Sequence, residues 1–196
     1  MLLIGIGNKA RNGKDTAANY FSEFFIDWKV LVSPLANALK KYCRDHHDEL
    51  LLQWRLKHND PKGFPSEKQD GIYGYTEILQ DTGQFVRTHY SQNYWIDKCF
   101  EHIDGLQPDI AIIPDVRYKN EAQAVRDRDG ILIQVIRVNE DGSQFIDPSR
   151  DPKHPSEIEL DDYLGWDYIV RARDLNQLYH KLHGIGEQLI FSKGLD

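Results

Sequence analysis

The chain has 196 residues, 40% of them hydrophobic, and a formal net charge of −7, so it can bury one sizeable core but lacks the positive field needed to hold a polymeric nucleic acid. No apolar run approaches the ~18 residues of a membrane span, and "MLLIGIG" is too short for a signal-peptide core. Cys43 and Cys99 lie far apart with no CxxC spacing, which predicts reduced thiols and a cytoplasmic protein.

The first element is the apolar run "LLIGI" at 2–6, followed at once by "GIGNKARNGKDT" at 5–16. Strand, glycine-containing loop, Gly-Lys and helix in that order predict a phosphate-binding loop, where backbone N–H groups and a helix N-terminus converge on phosphate oxygens. The usual spelling GxxxxGK[ST] is broken twice, by Asn8 at the first glycine position and by Asp15 at the hydroxyl position. Asn tolerates left-handed backbone angles better than other non-glycine residues, Asp15 can serve a hard cation, and Thr16 supplies a hydroxyl next door. The competing assignment is a plain Gly/Asn turn with Lys9, Arg11 and Lys14 in solvent.

A helix over 14–27 carries Ala17, Ala18, Phe21, Phe24 and Phe25 on one side. A second strand, "KVLVS" at 29–33, leads to a Leu-rich helix over 35–56. The segment 57–74 is dense in Pro, Gly, Asp and Ser and reads as a long loop. The helical stretch 75–103 holds Arg87, Tyr90, Tyr94 and Trp95. A guanidinium and flat rings suit the phosphate and base of a nucleotide, although rings at helical spacing equally suit a core.

The third strand, "DIAIIPD" at 109–115, delivers Asp115 at its C-terminal end with Arg117 two residues on, where ligands of open parallel sheets gather. The plainer alternative has Asp115 capping the helix at 118–129 and Arg117 pairing with Glu121. After a fourth strand at 130–138 comes a second long loop at 139–157, carrying Arg150, Lys153 and His154 before Ser156 and Glu157. Cations there suit a lid over phosphates. A weaker strand at 166–170 and a helix at 174–190 complete an alternation that predicts a three-layer α/β domain with a parallel sheet.

"KARNGKDT", "SPLANALK", "LQDTG" with "NYWIDK", "IIPDVRYKNEA", "VIRV" and "HPSEIEL" occur in one order over about residues 1–185. In these motifs the chain resembles the deoxynucleoside monophosphate kinases of tailed bacteriophages, a branch of the P-loop kinases. The resemblance implies a P-loop NTPase fold with a five-stranded, mostly parallel sheet, one domain over 1–196, an acceptor-binding helical region at about 34–105 and a lid at about 139–157.

It also implies ATP and Mg²⁺ as cofactors and a small nucleotide as substrate, with no membrane and no polymeric nucleic acid. A homodimer is left open, and the location would be the host cytoplasm for a phage-encoded chain. By the same resemblance, the loop residues Asn8, Lys9, Ala10, Arg11, Asn12, Gly13, Lys14, Asp15 and Thr16 bind ATP, with Asp15, Thr16 and Asp115 organising the metal. Pro34, Arg87, Trp95, Asp115, Arg117, Ser156 and Glu157 serve the acceptor, and Lys14, Arg117 and Arg150 carry transfer. Asn8 departs from the family, which usually has Gly there. The alternatives are another small-molecule P-loop kinase acting on dephospho-coenzyme A or phosphomevalonate, a nucleotide-binding module without transfer, and an acidic interaction protein.

Overall fold

The computed structural model describes residues 1–59 and 76–193, so most of the loop expected at 57–74 lies outside the described residues. Two compact units are present, the first formed by Met1–Pro34 with Phe100–Asp196 and the second by Leu35–Cys99.

The first unit is built on a five-stranded sheet in the order β2-β3-β1-β4-β5, with β1 Leu2–Gly7, β2 Val30–Val32, β3 Ile110–Val116, β4 Ile131–Arg137 and β5 Tyr168–Ala172. All four strand pairs are parallel. Central β1 is buried along its whole length, whereas edge strand β5 alternates between exposed and buried positions. That alternation is why its sequence signal is weak and displaced by two residues.

Along β1 the side chains point alternately to the two faces. Leu2, Ile4 and Ile6 meet Ala17, Ala18 and Phe21 of helix α1 (Lys14–Phe24), Phe25 just beyond it, and Leu178, Leu182, Ile185 and Leu189 of the C-terminal helix, Leu175–Lys193. The 4-3-4 spacing of those last four residues places them on one helical stripe. Phe21 and Phe25 are fully buried, each contributing about 1.5–3 kcal/mol of hydrophobic stabilisation. Helix α1 stops short of the expected residue 27 because the chain turns after Phe25, whose ring receives Trp28 edge-on at 5.8 Å between centroids. On the other face the helix Lys119–Arg126 packs against β1 and β4. The first unit is therefore a three-layer α/β arrangement.

In the second unit the expected helix 35–56 is two helices, α2 Leu35–Asp45 and α3 His47–His58. One residue makes the break: His46 leaves helical angles, and its ring stacks 4.1 Å from that of Tyr42. The expected helix 75–103 likewise divides into α4 Thr76–His89 and α5 Tyr94–Leu106. The Ser91 hydroxyl accepts the Asn93 N–H at 3.1 Å in the turn between them, a side-chain-to-backbone bond that competes with helix continuation. Gly83 on α4 lies against Leu39 of α2, and its carbonyl accepts Trp95 Nε1–H at 3.2 Å. Cys43 and Cys99 are both buried, and neither forms a disulfide.

Helix α6 is Lys119–Arg126, α7 is Pro155–Ile158 and α8 is Leu175–Lys193. Four-residue α7 begins inside the stretch 139–157 expected to be loop and ends one residue beyond it. Among the described residues no helix is long and apolar enough to cross a membrane.

Candidate active site

The register of the sheet assembles the site. Gly7 at the end of β1 pairs with Val116 at the end of β3, so the loop that begins at Asn8 runs beside the turn that carries Arg117. Both leave the C-terminal edge of neighbouring strands, where the order of connections reverses.

Three backbone angles shape the loop. Gly13 has φ 94°, Arg11 φ 53° and Asn8 φ 147°, all in the region that L side chains avoid. Asn8 is held there by its side chain, which is buried. Its Nδ2 donates to the Val135 carbonyl at 2.6 Å, and its Oδ1 accepts the Lys9 N–H at 2.8 Å and Gln144 Nε2 at 3.2 Å. Asn8 had stood out as a departure from the family pattern; in the structure it tethers the loop to β4.

Asn12 is a second tether that sequence reasoning counted only for its backbone. Its Nδ2 donates to the carbonyls of Ala10 at 3.0 Å and Phe145 at 3.3 Å, and its Oδ1 accepts the Arg137 N–H at 3.0 Å. Between the tethers, the backbone N–H groups of residues 11–14 have no protein acceptor among the described residues. A run of such groups at a helix N-terminus is an anion site.

Lys14 is buried, with Nζ 2.6 Å from the Lys9 carbonyl. Burial first, then the neighbouring Arg117 charge, lowers its pKa from 10.5 to about 7, against opposing contributions from Asp15, Glu157 and Asp115. Lys14, Arg117, Glu157 and Asp115 therefore share one electrostatic neighbourhood at the two strand ends. Asp15 is exposed in the first turn of α1, Thr16 follows it, and Asp115 is half-buried on β3. This is an all-oxygen donor set suited to Mg²⁺, which keeps several waters and shares itself with substrate phosphates. No group of three or more His, Cys, Asp or Glu that could hold a metal ion occurs among the described residues.

Arg117 and Glu121 interact differently from a simple i, i+4 ion pair. Glu121 Oε2 accepts the backbone N–H groups of Arg117 at 2.8 Å and Tyr118 at 3.1 Å, capping α6. The Arg117 guanidinium turns instead to Glu157, with Nη1 2.8 Å from Oε1. The other Glu157 oxygen accepts the Ala10 N–H at 2.9 Å, and the Glu157 carbonyl accepts Lys9 Nζ at 2.5 Å. Lys9 Nζ also reaches Asp161 at 2.6 Å.

The segment 139–157 opens with a tight turn, in which Asn139 and Ser143 are bonded backbone to backbone at 2.8 Å and Val138 bridges Gln144. Asp147 follows, a buried residue that sequence reasoning missed. Its Oδ1 accepts the Ser149 N–H at 3.0 Å and Oγ–H at 2.8 Å, and its Oδ2 lies 3.2 Å from Arg11 Nε. The order Asp-Pro-Ser was the available signal, being a common side-chain turn. Burial and then the charge of Arg117 lower the pKa of Arg150. His154 is the N-cap of α7, its Nδ1 accepting the Ser156 N–H at 3.2 Å.

The structure thus gathers Asn8 to Thr16, Asp115, Arg117, Arg150, Ser156 and Glu157 in the first unit, whose residues before the boundary end at Pro34. Arg87 and Trp95 belong to the second. Arg87 Nη1 donates to the Gln92 carbonyl at 3.1 Å, and Trp95 is 2% exposed, with Tyr42 and Tyr94 packed edge-on against its ring.

No family model matches the chain. It is 25% identical over 197 residues, covering 93% of this chain and 94% of the relative, to a putative deoxynucleotide monophosphate kinase of Acanthamoeba polyphaga mimivirus. It is 26% identical over 153 residues to the deoxynucleoside-5′-monophosphate kinase of Escherichia phage T5, spanning 70% of this chain and 59% of that relative. Among solved structures, dephospho-CoA kinase from Campylobacter jejuni superposes with a TM-score of 0.53 at 12% identity, over 99% of this chain and 98% of that one, which establishes a shared fold. Motif resemblance, similarity across nearly the full chain and fold agree, and both curated relatives carry the name of the family that the motifs resemble.

Proposed function

We propose that this protein transfers the γ-phosphoryl group of ATP to deoxynucleoside 5′-monophosphates, giving diphosphates. The observation that carries the reading is the meeting of a tethered loop, its amides at 11–14 without protein acceptors, with buried Lys14 and with Arg117 from the adjacent strand end. The names of the two relatives supply the substrate class.

In this reading the amides and Lys14 receive the β- and γ-phosphates, and Asp15, Thr16 and Asp115 hold Mg²⁺. Held by those residues, Mg²⁺ would supply positive charge that offsets the charge of the triphosphate. An oxygen of the acceptor phosphate attacks the γ-phosphorus, the bond to the β-bridging oxygen breaks, and ADP leaves. The acceptor oxygen is already anionic, so no general base is needed, and catalysis reduces to positioning and charge stabilisation. Arg117 and Arg150 are the cations next to the transferring group. Substrates of this class are met in the cytoplasm, that of the host for a phage-encoded chain.

The test is incubation with Mg·ATP and each deoxynucleoside monophosphate, with dephospho-coenzyme A in the same panel and Lys14→Ala as control. Diphosphate and ADP formed by the native protein and lost in Lys14→Ala are expected. Turnover of none of the monophosphates, or turnover indifferent to Lys14→Ala, would reject the assignment.

A further inference from the structure

We infer that Glu157 is a positioning residue for this transfer, in place of the direct acceptor contact that the resemblance implies: its carboxylate fixes the Arg117 guanidinium against the rim of the phosphate loop and touches no substrate. The inference rests on the kinase reading for its catalytic consequence, but its geometry is independent of it.

Three observations lead here. Glu157 is 6% exposed, and its backbone is pinned on both sides, by the α7 N-cap at His154 and by Lys9 Nζ on its own carbonyl. Its two carboxylate oxygens have different partners, Arg117 Nη1 at 2.8 Å on the loop after β3 and the Ala10 N–H at 2.9 Å on the loop after β1. The Nε and Nη2 edge of Arg117 has no protein partner among the described residues, which leaves that side of the fork for a phosphate.

A carboxylate makes a poor direct contact for a phosphate, because the two charges repel. Placed behind a guanidinium it has the opposite effect, orienting the fork while offsetting mutual repulsion among Lys14, Arg117 and Arg150. Outer partners of metal ligands act in this way, their loss typically lowering affinity or activity about 10–100-fold, and a loss of the same order is expected here.

The experiment is a double-mutant cycle of Glu157→Gln and Arg117→Ala, with kcat and KM measured for both substrates. Glu157→Gln retains one acceptor oxygen and directs an amide N–H at either Ala10 or Arg117, so one of the two bonds must fail. The expected result is a fall of about 10–100-fold in kcat/KM for the monophosphate, with the KM for Mg·ATP changed less than about twofold. The double variant should then be no slower than Arg117→Ala alone. Losses that multiply in the double variant, or a loss confined to the KM for Mg·ATP, would overturn the inference.

Amide NMR supplies a readout that needs no turnover. The Ala10 N–H resonance should move in both Glu157→Gln and Arg117→Ala, since one carboxylate joins the two residues. If it stays in place in both variants, the positioning role falls, whatever the activity. If it moves while the native protein turns over no monophosphate, positioning stands and the kinase reading falls.

Discussion

Lys14 Nζ lies 2.6 Å from the carbonyl of Lys9, inside the curve of its own loop, and its pKa is lowered to about 7. Burial is the largest cause, and an arriving triphosphate supplies the counter-charge that favours the protonated form. Mg·ATP binding at pH 8 should therefore take up close to one proton, roughly 0.9 for a group shifted from a pKa of about 7 to one well above 8. Calorimetry in two buffers of different ionisation enthalpy reads this number, which should fall toward zero at pH 6 and vanish in Lys14→Met. The sign for stability runs the same way. Between about 7 and 10.5 the unfolded chain binds more protons at this site than the folded one, so the ligand-free protein gains stability as pH rises through that window. Lys14→Met should remove that slope.

Asn8→Gly restores the ordinary spelling of the loop, yet it should weaken the protein. The substitution relieves a positive φ, a strain of about 1 kcal/mol, but deletes the bonds to Val135, Lys9 and Gln144. The Val135 carbonyl loses a buried donor, at a cost of about 1–3 kcal/mol. A lower Tm by thermal denaturation and a weaker Kd for Mg·ATP are expected. Tighter ATP binding in Asn8→Gly would show that the tether is dispensable.

The contrast between Asn8 and Lys14 indicates what was legible in the sequence. Strand β1, Gly13, Lys14 and the opening of α1 are local, so period and spacing reveal them, as they reveal Asp115 and Arg117 at the end of a continuous apolar strand. The bonds of Asn8 to Val135 and of Asn12 to Arg137 span more than a hundred residues, and no local pattern encodes them. The division of 35–56 into α2 and α3 turns on His46 alone, a residue without the breaking power of Gly or Pro. Glu157 was singled out by resemblance, but its partners became visible only when the loops after β1 and β3 were set side by side.

Arg117→Lys tests whether the fork geometry matters beyond charge. A lysine ammonium is a point charge and cannot serve Glu157 and a phosphate from two edges of one plane. We expect kcat to fall about 100–1,000-fold, the range seen when an aimed donor is lost from a transition-state site. The Kd for Mg·ATP by calorimetry should stay within about threefold of that of the native protein. Native kcat in Arg117→Lys would reduce the role of Arg117 to its charge.

Asp147 couples the loop to the following turn through an acid-sensitive contact. Burial pushes its carboxyl pKa up, but the Ser149 bonds and the Arg11 and Arg150 charges outweigh that and hold it below 3.8. A carboxyl lowered in the folded state contributes stability that is present above its unfolded pKa and is lost as pH falls through the folded value. Thermal denaturation between pH 5 and pH 3 should show the native Tm falling more steeply than that of Asp147→Asn. At pH 7 the same variant should be less stable by about 1–3 kcal/mol, since a hydrogen-bonded buried charge is lost. Parallel acid limbs would remove Asp147 from this account.

Gly7 marks where the sheet hands over to the loop, and its lack of a side chain has a specific cause. A Cβ there would come within 2.4 Å of the Trp166 ring and 3.0 Å of the Val116 carbonyl. The ring in turn meets Tyr163 edge-on at 5.3 Å between centroids. Gly7→Ala should cost about 1–3 kcal/mol through overpacking and displace the loop that follows, weakening Mg·ATP binding as well as lowering Tm. If the indole is the obstacle, Trp166→Leu in the same chain should return part of both losses, although alone it is destabilising because it empties packed volume. The sign of that interaction is the diagnostic quantity in a double-mutant cycle. Additive losses would instead locate the clash at the Val116 carbonyl, and with it the reason why β1 and β3 can approach so closely at the mouth of the site.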